Sequence, residues 1–209
     1  AYDITFSDPR DGDALLLQAW QTAPVVAAQI FSVDPTVTPR AGQLGAPVAE
    51  RGCPLFAPAS HGYYGNAVEL AGASATVGHL TPRIESDGVV RQLPALICHE
   101  GRAYPSLALA AFWRAAQAEG GTALPQQDWQ WHLRGDQGLA VSPLAPSAWL
   151  TSRSLPGLVV PLDARGDLRV PYRLDRKALA SVSAADVLRG TADLSLLKGT
   201  IALIGATAF

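Results

Sequence analysis

The 209-residue chain has no methionine, only two cysteines and only four histidines. Met is missing even at position 1 and no signal-peptide pattern opens the chain, so it reads as an excised piece of something larger. Cys53 and Cys98 lie too far apart in sequence for a C-x-x-C metal or redox motif. His61, His79, His99 and His132 are scattered, and none pairs at i, i+4 as a helical metal site requires. The net charge is −2 with no basic stripe, which argues against a nucleic-acid partner. No apolar run approaches the roughly 18 residues that span a bilayer. Internal repeats and low-complexity tracts are absent as well.

What is present is apolar: 48% of the residues are hydrophobic, enough for a folded core rather than a disordered chain. Residues 1–6 alternate as a strand does, residues 14–22 read as a helix capped by Asp11 or Asp13, and residues 25–33 read as a second strand. That order fits a βαβ unit. Residues 34–62 are rich in Pro and Gly without a clear period and read as a long surface excursion. Strands follow over 73–84 and 88–101, then a His-Glu-Gly-Arg turn. A helix is expected over 105–118 with Pro105 in its first turn, stopping in the Gly- and Pro-containing stretch 119–127. Residues 128–136 alternate tryptophan with polar residues, and 155–174 hold two short strands around an Asp-Ala-Arg-Gly-Asp turn. A compact helix over 181–190 has Ser183 as N-cap and Gly190 as its end. The apolar stretch 197–209 is expected as a buried strand in mid-sheet. The predicted fold is α/β, one domain over 1–209, with helices packed on a mixed central sheet and both ends read as truncated.

Catalytic constellations are weak. Asp8, Asp11 and Asp13 lack calcium-loop spacing, and a solvated helix cap fits them better. The single Gly205 in the Gly-Ala-Thr stretch does not make a phosphate cradle, and the Pro-Ala-Ser-His-Gly stretch around Ser60 does not match a nucleophile elbow. Between two strands, Asp87-Gly88 is a hairpin turn whose glycine supplies the positive φ. Arg91 can pair there with Asp87 or Glu85, an exposed bridge worth less than about 1 kcal/mol. Asp87, Arg91 and His79 are the candidate ligand-binding residues, with a structural brace the favoured role for the first two. A soluble enzyme using Asp3 or Asp87 is the remote reading. No metal or cofactor is expected.

The order of segments carries more than any one of them. Gly78-His79, Asp87-Gly88-Val89-Val90-Arg91, Tyr104-Pro105-Ser106-Leu107-Ala108-Leu109, Ser183 through Leu188, and Lys198-Gly199 through Gly205-Ala206-Thr207 follow one another across the chain. Together they resemble the CHASE type 2 domain, an extracytoplasmic sensor module of bacterial membrane receptors. Gly88, Pro105, Ser106 and Gly205 belong to those stretches as structural positions. The resemblance implies a sensory domain, not an enzyme, responding to an unknown small molecule or environmental signal. It implies flanking transmembrane helices and a cytoplasmic nucleotide cyclase, kinase or cyclic-di-GMP enzyme as output. A homodimer or purely structural module is the alternative. Read from the residues, Cys53 and Cys98 either pair, closing a loop of about 45 residues worth roughly 3–4 kcal/mol, or remain two thiols. The extracytoplasmic location favours the bond.

Overall fold

Helix α1 (Asp13–Thr22) begins at Gly12, whose left-handed φ of 97° turns the chain into it. Neither expected acid caps it. Asp13 lies in the first turn, and its carboxylate instead accepts from Arg10 N at 2.9 Å. Strand β1 (Val26–Ser32) follows, buried on both faces at Val26, Ala27, Ala28 and Gln29. The computed structural model that shows these elements describes residues 1–48, 52–73, 76–118, 129–133, 148–152, 157–173, 175 and 178–205.

Beyond β1 come β2 (Arg40–Ala41), β3 (Gly62–Tyr64), helix α2 (Val68–Ala73) and β4 (Thr76–His79). They form a sheet in the order β2-β3-β1-β4, with β1 parallel to β4 and antiparallel to β3. Helices α1 and α2 cover one face through Trp20, Leu70, Ala27 and Val77. Helix α3 (Leu107–Ala118) covers the other, placing Leu107 and Ala110 on Val26. The alternation of Val26 and Ala27 between the two clusters is the two-residue period of a strand buried on both sides.

The remaining strands are short. β5 (Arg83–Ile84) and β6 (Val90–Pro94) form the hairpin expected around Asp87-Gly88, with Gly88 at φ 78°. β7 (Leu96–His99) and β8 (Arg102–Pro105) form a second one. β9 (Trp129–Leu133), β10 (Ala148–Ser152) and β11 (Val159–Leu162) make a third ladder, while β12 (Asp167–Arg169) pairs with β6. The fold is thus mixed α/β in one domain, but among the described residues its strands are divided into four sheets rather than gathered into one. Pro82 and Pro94-Ala95 mark two of the breaks, since a proline has no N–H to give a ladder. Among the described residues no helix is long and apolar enough to cross a membrane.

Several expectations need correction. Residues 34–62 are not a free excursion. They contribute β2, line part of a cleft through 42–47, and are held by bridges from Gln43 to Asn66 and Ala59 to Cys98. Cys53 is joined to Cys98 across Cα atoms 5.8 Å apart. Pro105 ends β8 instead of starting α3, and Ser106 Oγ accepts from Leu109 N at 3.4 Å as the helix cap. Residues 1–6 and 197–205 do not form full strands: a parallel bridge between Tyr2 and Ile204 joins them. Leu203 is 72% exposed, so the final apolar stretch lies at the surface and not in mid-sheet. Its sequence is apolar enough for a core, but no second strand or helix covers it among the described residues. Ser183 and Gly190 bound α4 (Ala184–Arg189) as expected, though the Ser183 side chain makes no cap bond. The helix stop at 119–127, residues 134–136 and 155–156, and Ala206 and Thr207 lie outside the described residues.

The tightest packing in the core is at Gly78. A Cβ there would sit 2.5 Å from Leu107 Cα and 2.7 Å from its nitrogen. Backbone cannot yield as a flexible side chain does, so Gly78→Ala forces α3 off β4. We expect it to lower stability by about 1–3 kcal/mol. Gly72, inside α2, has open space around its Cβ position. Gly72→Ala is expected to stabilise by about 0.5–1 kcal/mol. Urea unfolding midpoints of the two variants test the contact, and equal midpoints would refute it.

Candidate functional site

Among the described residues a cleft of about 630 Å³ lies between the 40–47 segment and the β7–β8 hairpin, with Tyr63 of β3 and Ala71 and Gly72 of α2 also lining it. Its floor is aromatic. Phe31, Ile97 and Tyr104 form a buried cluster with Tyr63 and Leu44 packed on it. The His99 ring lies 5.2 Å from Tyr63, edge to face, and 5.7 Å from Phe31. Its Nδ1 is 3.2 Å from Ser60 Oγ. Burial, the largest influence on His99, pushes its imidazole down toward the neutral form.

Charges stand at the rim. Arg40 on β2 bonds Glu100 at 2.9 Å, and Glu100 also lies 3.9 Å from His99 Nε2. The Arg40 guanidinium holds the Glu100 carboxyl below its usual range, with His99 and Arg102 adding smaller effects. Arg102 also lines the cleft, and among the described residues no carboxylate lies within salt-bridge distance of it. With His99 neutral, two guanidiniums face one carboxylate.

Glu100 is the non-glycine residue found at positive φ among the described residues, at 50°. It and Gly101 (φ 76°) form the two-residue loop between His99 and Arg102. Such loops favour Asn, Asp or Gly at the first position. A long β-methylene side chain held there costs of order 1 kcal/mol. The local backbone preference is overridden, and the result is a carboxylate turned back toward Arg40.

The candidates read from sequence lie elsewhere. Asp87 and Arg91 do not line the cleft. Arg91 bonds Glu85 at 2.9 Å and Asp87 at 2.8 Å, closing the hairpin on itself. Arg91 and the Val89 N–H hold the Asp87 carboxyl below its ordinary value. Asp3 is exposed, its N–H donating to Ile204 O. Gly205 sits beside the Asp3 side chain. His79 is fully buried, in register with Gln29 on β1. Among the described residues both its ring nitrogens and Gln29 Nε2 have no partner.

Sequence reading missed two features. Arg40, Glu100 and Arg102 were passed over because the His-Glu-Gly-Arg stretch reads only as a turn. The unusual glutamate in the first loop position was the available signal. The buried ion pair is Arg83 with Asp167, bidentate at 2.5 and 3.0 Å, tying β5 to β12. Its partners are 84 residues apart, and no local pattern links them.

Burial of His79 has a consequence for stability. It pushes the imidazole down to about 3. In the unfolded chain the same group titrates near its ordinary value of about 6.5. Between those values the unfolded state binds one more proton. This contribution to stability is complete above about pH 6.5 and falls by up to about 1.4 kcal/mol per unit as pH drops toward 3. We expect His79→Leu to lose less stability than the parent chain between about pH 7 and 5. Urea unfolding at both pH values checks it, and equal losses would refute the assignment.

Comparison with known proteins adds the family. No curated protein and no solved structure matches the chain. The family model described as the CHASE2 domain matches residues 1–209, the whole length. The chain belongs to the CHASE2 family of extracytoplasmic sensory domains.

Proposed function

We propose that this domain is the sensory input of a bacterial membrane receptor, and that the cleft beside Arg40, Glu100 and Arg102 is where its signal binds. The carrying observation is the family match over residues 1–209, joined to a polar cleft whose charges are unbalanced. Transmembrane helices flanking the domain would anchor it, and the output would be a cytoplasmic nucleotide cyclase, kinase or cyclic-di-GMP enzyme. Binding shifts such a receptor only through a difference in affinity between two conformations. The cleft suits this because its walls come from separate segments, among them residues 40–47 and a hairpin that leads into α3.

A homodimer is the second reading, favoured by the exposed apolar side chains of Leu194, Leu196, Ile201, Leu203 and Ile204. Helix α3 offers, among the described residues, one large exposed apolar side chain, Phe112. Dimerisation through the 194–204 segment would appear as a concentration-dependent mass in sedimentation that Leu203→Asp abolishes. A monomer at all concentrations overturns it.

The test of the main reading is topology in the intact gene. A reporter active only outside the cytoplasm, fused directly after Phe209, is expected to be active. An expressed but inactive fusion overturns the extracytoplasmic assignment for this protein.

A further inference from the structure

We propose that the cleft binds a small organic monocarboxylate, and that Glu100 stands in for the ligand's carboxylate while the cleft is empty. The inference rests on reading the cleft as the sensory site and names what it takes.

Three observations converge. Arg102 lines the cleft with no carboxylate partner among the described residues. A guanidinium presents a planar fork that matches a carboxylate in two parallel bonds, so a lone one on a cleft wall is a carboxylate receptor without its partner. Arg40, on the facing wall, has its bond at 2.9 Å to Glu100. This neighbour shows that a carboxylate is what the cleft's cations accept. And Glu100 reaches Arg40 from a left-handed backbone position that glycine or asparagine would occupy more readily. A residue kept against its backbone preference, in a loop where the shortest ion pair of its side chain is to Arg40, is a residue kept for that contact.

The charge balance selects a monoanion. Arg40 and Arg102 against Glu100 leave one positive charge, because the buried His99 ring is neutral. One ligand carboxylate closes that balance at Arg102. A dianion such as phosphate leaves an excess negative charge facing Glu100. Bound at Arg102, the ligand carboxylate repels the neighbouring Glu100 carboxylate and competes with it for the Arg40 guanidinium across the cleft. Displacement frees the Glu100–Gly101 loop from the 40–47 wall. It is a competition between two carboxylates, with no bond made or broken.

The experiment follows backbone amide shifts by NMR on the 209-residue chain. The probes are acetate, lactate and pyruvate, with lactamide as neutral control and inorganic phosphate as the rival anion. At least one monocarboxylate is expected to shift Glu100, Gly101, Arg102 and Leu44 saturably, with lactamide silent and phosphate at least about tenfold weaker. Arg102→Ala is expected to weaken binding about tenfold or more. Glu100→Gln is expected to tighten it severalfold, because the internal competitor is gone. Both side chains are exposed, and circular dichroism of each variant confirms the fold. Arg102→Lys keeps the charge but not the fork, and should fall between the parent and Arg102→Ala. A merely structural Arg40–Glu100 bridge predicts weaker or unchanged binding in Glu100→Gln, and that result overturns the proposal. So does the absence of a saturable shift with all three monocarboxylates, and so does tighter binding of phosphate. Loss of carboxylate binding with an active external reporter refutes the ligand class alone. Binding together with an inactive reporter refutes the location alone.

Discussion

The backbone of Leu107 lies against Gly78, and the rest of the domain is arranged around that contact. With no Cβ on β4 at this point, α3 approaches the strand to van der Waals distance of its backbone. The approach lets α3 serve two cores at once. Leu107 and Ala110 face β1, while Leu109 and Trp113 face a larger cluster with Ala95, Leu96, Leu150 and Leu162. A helix apolar on two stripes must be buried on both, and here it is the wall between the β1–β4 sheet and the ladders that follow. The contact also fixes β8, which ends one residue before α3 starts, and with β8 the whole β7–β8 hairpin.

That hairpin is one wall of the cleft. Another is residues 40–47, which have too little regular structure to stand alone. They are held from beneath by Gln29, whose Oε1 accepts from Gly45 N at 3.1 Å, and from one side by the paired backbone of Gln43 and Asn66. Further along the same segment, the Cys53–Cys98 bond ties it to β7 itself. The 40–47 wall is therefore held by hydrogen bonds to Gln29 and Asn66 and its continuation by a covalent bond to β7, yet the walls meet at the rim through the exposed Arg40–Glu100 pair. An exposed pair contributes little to stability. The cleft is rigid at its base and weakly closed at its mouth.

Some of this was legible in the sequence and some was not, for physical reasons. The β5–β6 hairpin was, because Asp87-Gly88 is a local signal and Gly88 needs its positive φ whatever surrounds it. Strand β1 was, because a run buried on both faces is continuous in sequence. Helix α3 was placed to within two residues, the error being Pro105, whose fixed φ suits a strand end as well as a first helical turn. The surface position of 197–205 was not, since its apolarity describes what the residues would gain from burial and not whether anything is there to bury them. Residues 34–62 looked unstructured because their order comes from distant partners: Asn66, Cys98 and Tyr63. The Arg83–Asp167 pair was invisible for the same reason. As for the candidate site, Asp87 and Arg91 drew notice because opposite charges sit close in sequence. That proximity is also why they satisfy each other.

Glu100 shows the opposite logic. Sequence and structure disagree there: the turn wants a residue that tolerates left-handed backbone, and the chain supplies a glutamate. Natural sequences agree with their folds at most positions, and departures concentrate where something other than stability is served. Among the described residues the buried His79 ring nitrogens and Gln29 Nε2, which have no hydrogen-bond partner, are a second departure, side by side on β4 and β1. A buried polar group without a partner costs roughly 1–3 kcal/mol. Gln29 holds Gly45, and Gly45 lines the cleft, so the second departure reaches the cleft wall through one hydrogen bond. A domain that needed only to be stable would place apolar side chains at 29 and 79 and glycine at 100. The costs fall together beneath and beside one cleft, which is the distribution expected where a binding surface, and not the core, has set the residues.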